Sequence, residues 1–109
     1  MEFNELQVAL WGHMLEYIDN YRQKKIGYSE MVNGLENALF TGDFYDKDLT
    51  TQWFDRWEPL EEWNAVKGNN VTPEDVDKFI DEMQRFLEKI RKELPDSAFE
   101  KRDKYQWWL

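Results

Sequence analysis

Apolar residues recur along this chain at steps of three and four, and nowhere alternate with a period of two for long enough to build a strand. From Phe3 to Lys24, the residues Phe3, Leu6, Leu10, Met14, Ile18 and Tyr21 mark one face of an amphipathic helix, flanked by Trp11, Leu15 and Tyr17. This helix is expected over about 3–25. Arg22, Lys24 and Lys25 oppose the negative end of its dipole, and Gly27 follows as the stop. A second helix is expected over about 29–40, where Ser29 offers a capping hydroxyl, Met31, Val32, Leu35, Ala38 and Leu39 carry the spacing, and Gly42 breaks it. Gly34 in its middle costs about 1 kcal/mol against alanine, which points to another backbone passing close by.

Gly42 to Lys47 reads as a loop, with Phe44 and Tyr45 expected to turn inward from among Asp43, Asp46 and Asp48. A third helix is expected over about 48–67, starting near Asp48 or Thr50 and carrying the run QWFDRWEPLEEWN. There Trp53, Trp57, Leu60 and Trp63 share one face, while Asp55, Glu58, Glu61 and Glu62 lie largely off it. Pro59 sits inside this helix and either kinks it or breaks it in two; the stripe stays in phase across the proline, which favours a kink. After a turn at Lys67 to Asn70, Thr72, Pro73, Glu74 and Asp75 supply a capping hydroxyl, a proline at the first helical position and first-turn acids. The fourth helix, about 73–94, buries Val76, Phe79, Ile80, Met83, Phe86, Leu87, Ile90 and Leu94; Arg91 and Lys92 close it and Pro95 ends it. Residues 95–109 follow as an aromatic extension with Phe99, Tyr105, Trp107 and Trp108. The expected fold class is all-α: one domain over 1–109, a compact bundle of about four helices, each antiparallel to its sequence neighbours.

Composition sharpens this picture. Aromatic residues make up 17% of the 109 positions, too rich a supply of apolar area for a disordered chain. Twenty-three acids against 14 lysines and arginines give a net charge of −9, a field that repels phosphates, so direct binding of nucleic acid is not expected. The absence of cysteine removes disulfides, thiol nucleophiles and thiolate metal sites. The N-terminal stretch carries acid where a signal peptide has positive charge, and no apolar run approaches the roughly 18 residues of a membrane span. A soluble, cytoplasmic chain without membrane partners is the expectation.

Catalytic chemistry has little to draw on. His13 is the one imidazole, and between Trp11 and Met14 it reads as a half-buried, hydrogen-bonded helix residue. A di-iron bundle needs paired Glu-x-x-His motifs and cannot be assembled with one histidine. Asp43, Asp46 and Asp48 suggest a calcium loop, but counting from Asp46 puts Thr51 where the glycine belongs and Trp57 where the bidentate glutamate belongs. There is no glycine-rich phosphate loop, and a helical domain of this size leaves little room for a sugar cleft between paired carboxylates. The chain is not expected to be an enzyme, nor to hold a cofactor or metal.

Charge is unevenly spread. Residues 27–82 hold 14 acids and 4 bases, whereas residues 83–109 hold 7 bases and 5 acids. Acids placed around aromatic side chains suit a partner with a basic surface, since charge steers encounter and buried rings supply the strong contacts. The segments MLEYIDNYRQKKIGYSEMVNGLENAL and TTQWFDRWEPLEEWNAV, followed by a capped last helix, resemble a group of small, acidic, all-helical bacterial proteins regarded as immunity proteins of toxin systems. The resemblance spans roughly Met14 to Ile90. It implies a protein that neutralises a basic toxin or nuclease domain by stoichiometric binding, and it carries over no defined functional residues. Read from the residues, the contacts would be Asp43, Asp46, Asp48, Asp55, Glu58, Glu61 and Glu62, with Tyr45 and Trp57 as anchors. Two other functions fit the same chain: an assembly protein that dimerises through Trp107, Trp108 and Leu109, and an acidic mimic of DNA.

Overall fold

The first helix begins with a reciprocal cap. Asn4 Oδ1 accepts the Gln7 N–H at 2.8 Å and Gln7 Oε1 accepts the Asn4 N–H at 3.1 Å, which satisfies two of the N–H groups that a helix start leaves free. This helix, α1, spans Glu5–Arg22 in the computed structural model, which describes residues 3–94. It is shorter than its expected 3–25 because Asn4 caps its start and a turn at Lys24 closes it three residues before Gly27. The Lys25 N–H returns to the Asn20 carbonyl and the Lys24 N–H to that of Tyr21, both at 2.9 Å, with Lys24 in the left-handed region at φ 62°. A lysine therefore occupies the turn position that glycine usually takes.

Helix α2 spans Tyr28–Gly42, with Gly27 as its extended N-cap. Ser29 does not cap it. The Ser29 hydroxyl donates to Asn64 Oδ1 at 2.5 Å, and the free Ser29 N–H is accepted by Asn69 Oδ1 at 2.9 Å, a cap supplied from 40 residues away. Gly34 is explained by a side chain rather than a backbone: a β-carbon there would overlap the Tyr17 ring, which packs against this turn of α2. Asp43, left-handed at φ 49°, terminates the helix.

Helix α3 spans Lys47–Lys67 and runs unbroken through Pro59, so the two-helix alternative is not realised. Its start lies one residue before the expected range because Asp46 Oδ1 accepts the Leu49 N–H at 3.1 Å. A 3₁₀ turn at Gly68–Asn70 leads to α4, Pro73–Lys92, where the Asp75 carboxylate accepts the Thr72 N–H at 3.0 Å in the expected capping box. The aromatic extension, with Pro95, Phe99, Tyr105, Trp107, Trp108 and Leu109, lies outside the described residues.

The four helices form a compact all-helical globule in which α1 and α3 each pack between α2 and α4. Paired residues run in opposite directions along every neighbouring pair. Gln7 meets Gly42 and Tyr21 meets Tyr28; Phe40 meets Phe54 and Tyr28 meets Leu60; Arg56 meets Phe86 and Lys67 meets Asp75; Trp11 meets Leu87 and Arg22 meets Asp81. The order is thus up, down, up, down.

Buried donors pin the ring of helices. Trp11 Nε1 donates to the Leu87 carbonyl at 2.9 Å, Trp57 Nε1 to that of Val32 at 3.0 Å, Tyr28 Oη to that of Leu60 at 2.7 Å and Gln7 Nε2 to that of Gly42 at 3.0 Å. Each donor sits on one helix and each acceptor on its neighbour, so apolar burial and orientation come from the same side chains. Trp53 Nε1 is the buried side-chain donor left without a partner among the described residues. No helix among the described residues is long and apolar enough to cross a membrane.

Candidate functional site

The inner face of α3 is core. Leu49, Trp53, Trp57 and Leu60 are buried, Trp53 and Trp57 stack at 5.9 Å, and Trp63 packs half-buried under the Lys67 ammonium. Periodicity then dictates what faces out. Asp48 and Asp55 are separated by two helical turns, and Asp55, Glu58 and Glu62 by steps of three and four, so these four exposed carboxylates form one row along the outer face. At 1.5 Å per residue the row is about 21 Å long. None of the four is ion-paired with a described residue; the pairs formed elsewhere are Arg22–Asp81 at 2.6 Å, Lys67–Asp75 at 3.0 Å and the His13–Glu16 contact at 3.5 Å.

The remaining expected contacts divide. Asp43 and Tyr45 are exposed beside the start of the row, Tyr45 at 81%, so that ring does not turn inward as Phe44 does against Phe3 and Trp11. Tyr45 Oη donates to Asp43 Oδ2 at 2.9 Å, and this carboxylate, as hydrogen-bond acceptor and as negative charge, raises the phenol above its ordinary pKa. Asp46 is exposed but engaged as the N-cap of α3. Glu61 is half-buried toward α2, its carboxylate accepting from Asn64 Nδ2 at 3.3 Å, so it belongs to the Ser29–Asn64 network rather than to the outer row. Trp57 is withdrawn as an anchor: it is 8% exposed and its N–H is taken by Val32.

Two features escaped the sequence reading. Phe40 is 63% exposed, with its ring 6.3 Å from that of the half-buried Phe54 across the α2/α3 seam, and Val66 is 75% exposed below the acidic row. Position 40 falls off the stripe set by Met31, Leu35 and Leu39, and a large apolar residue out of phase is the signal that would have found it. On the far side of α2, an open groove of about 270 Å³ is lined by Leu10, His13, Tyr17, Gly34, Asn37, Ala38 and Thr41, with no carboxylate in its lining. His13 stands at its edge, its ring edge-to-face against Tyr17 at 4.6 Å and its Nδ1 3.5 Å from Glu16. Among the described residues no three histidine, aspartate or glutamate side chains gather as metal ligands would.

Comparison with family models, with curated proteins and with solved structures finds no match for this chain.

Proposed function

We propose that this protein is a non-catalytic binding protein of the immunity or antitoxin kind, which neutralises a basic toxin or nuclease domain by covering it in a one-to-one complex. The observation that carries this reading is the row of Asp48, Asp55, Glu58 and Glu62, outward on a rigidly packed helix and without ion-pair partners among the described residues. A like-charge row opposes helix stability, yet it draws a cationic surface and orients it before contact. Asp43 and Tyr45 extend the surface at one end. The partner is a protein, since a surface of this sign disfavours nucleic acid as ligand.

Affinity capture from the native cells at low and moderate salt identifies the partner: a single basic protein recovered in near-equal amount, whose toxicity to a host cell is cancelled by co-expression of this chain. With that pair in hand, the triple change Asp55→Lys, Glu58→Lys, Glu62→Lys slows association at least about tenfold at low ionic strength, with the difference shrinking as salt rises. Unchanged association of the triple variant at low salt would refute this surface.

A further inference from the structure

Phe40, at 63%, is the most exposed phenylalanine or tryptophan among the described residues, and its position shows what could cover it. It stands on α2 at the α2/α3 seam, tilted at 48° to the ring of Phe54, which itself rests edge-on against Trp53 and Trp57. The rings therefore form a fixed apolar floor continuous with the core. Carboxylates border it on both helices: Glu36 lies one turn before Phe40, Asp43 three residues after it, and Glu58 one turn after Phe54. None of these carboxylates is ion-paired with a described residue: the Arg56 guanidinium lies over Phe86 at 4.7 Å on the α4 side, and Lys47, two turns before Phe54 on the same flank of α3, forms no ion pair with a described residue.

An aromatic floor walled by carboxylates is complementary to one side chain above others. The guanidinium of arginine is planar and weakly hydrated; it stacks flat on a ring while its edge N–H groups donate to carboxylates, whereas the lysine ammonium is a compact, strongly hydrated point charge. We infer that the Phe40–Phe54 seam is the seat of an arginine side chain presented by the basic partner protein. This rests on the reading of the acidic surface as the partner's contact and specifies its chemistry. The row on α3 steers any cation, and the seam selects arginine.

The test uses hexa-arginine and hexa-lysine peptides of equal charge, titrated into the full chain at low salt and followed by ring ¹³C–¹H resonances and by calorimetry. Hexa-arginine should bind about threefold tighter than hexa-lysine and displace the Phe40 and Phe54 ring resonances. Phe40→Ser removes the preference without weakening hexa-lysine, and Phe40→Tyr, which keeps a ring, retains it; the exposure of Phe40 allows both variants to fold. Equal affinity for the two peptides, or a preference that survives Phe40→Ser, overturns the arginine seat. If equal binding is nonetheless lost with Asp55→Lys, Glu58→Lys, Glu62→Lys, the acidic surface stands without the seat; no binding of either peptide removes both.

Discussion

Glu58 occupies a singular place on α3. Its neighbours at i−3, i+3 and i+4 are Asp55, Glu61 and Glu62, and every like-charge pair of this helix at those spacings passes through it. No acid–base pair at the same spacings offsets them. With each such pair unfavourable by about 0.2–0.5 kcal/mol, Glu58 carries roughly 1 kcal/mol of repulsion at low ionic strength. Glu58→Gln keeps the shape and helix propensity of the side chain while removing all three terms. It should stabilise the fold by about 1 kcal/mol in 10 mM salt, equivalent to a rise of about 5 °C in Tm for a domain of this size. Urea unfolding followed by tryptophan fluorescence measures the gain, and the same curves in 0.5 M salt should show most of it gone, because Asp55, Glu58 and Glu62 are exposed and their two pairs screened, with Glu61 half-buried. Glu58→Lys should roughly double the low-salt gain. The reasoning fails if Glu58→Gln is neutral or destabilising at low salt, or if its gain is indifferent to salt.

Lys24→Gly should stabilise the protein by about 0.5–1 kcal/mol in urea unfolding, since Lys24 holds φ 62° in the turn that closes α1 and glycine adopts that region freely. Gly34→Ala should destabilise by about 1 kcal/mol despite the better helix propensity of alanine, because its methyl meets the Tyr17 ring; in a Tyr17→Ala background the same change should become stabilising, and a double-mutant cycle shows the reversal of sign. Burial, the Tyr21 phenol and the Glu61 carboxylate push the Tyr28 hydroxyl well above its ordinary value of 10.0, so the folded state holds its proton where the unfolded state has lost it. That contribution is complete below about pH 10 and declines as pH rises above it, at up to about 1.4 kcal/mol per unit, so alkaline unfolding curves should flatten in Tyr28→Phe. Removing the bond from Tyr28 to Leu60 also lowers stability at neutral pH by about 1 kcal/mol in the same variant.

Local signals located what local forces decide. The capping box at Thr72 and Asp75, the phase of the tryptophan stripe across Pro59 and the turn at Gly68 depend on residues within one or two turns, and each was legible. The end of α1 was misjudged because Lys24 takes a strained turn that glycine would normally mark. The start of α2 depends on Asn69, and the role of Gly34 on Tyr17, partners brought together only by packing, so no window of sequence contains them. The same limit applies to the candidate surface. Periodicity separated outer carboxylates from inner rings, but it did not show that Glu61 turns to α2, that the Trp57 N–H is spent on Val32, or that Phe40 is stranded at a seam. Which flank of a helix meets a neighbour is set by the crossing of whole helices.

These magnitudes bear on why α3 can carry such a row. Its inner face buries Leu49, Trp53, Trp57 and Leu60, and a fully buried large apolar side chain contributes roughly 1.5–3 kcal/mol. Against that sum the roughly 1 kcal/mol of repulsion through Glu58 is small. Folding therefore places little constraint on the sign of the outer charges. Near-neutral variants with alternating lysine and glutamate would fold as well or better, so the fold does not require the acidic row, which fits the contact with a basic partner proposed for it. On the proposed reading the firm packing matters too: carboxylates on a pinned helix would lose little backbone freedom on binding, and the steering charge would become affinity where the seam beside it receives the proposed arginine.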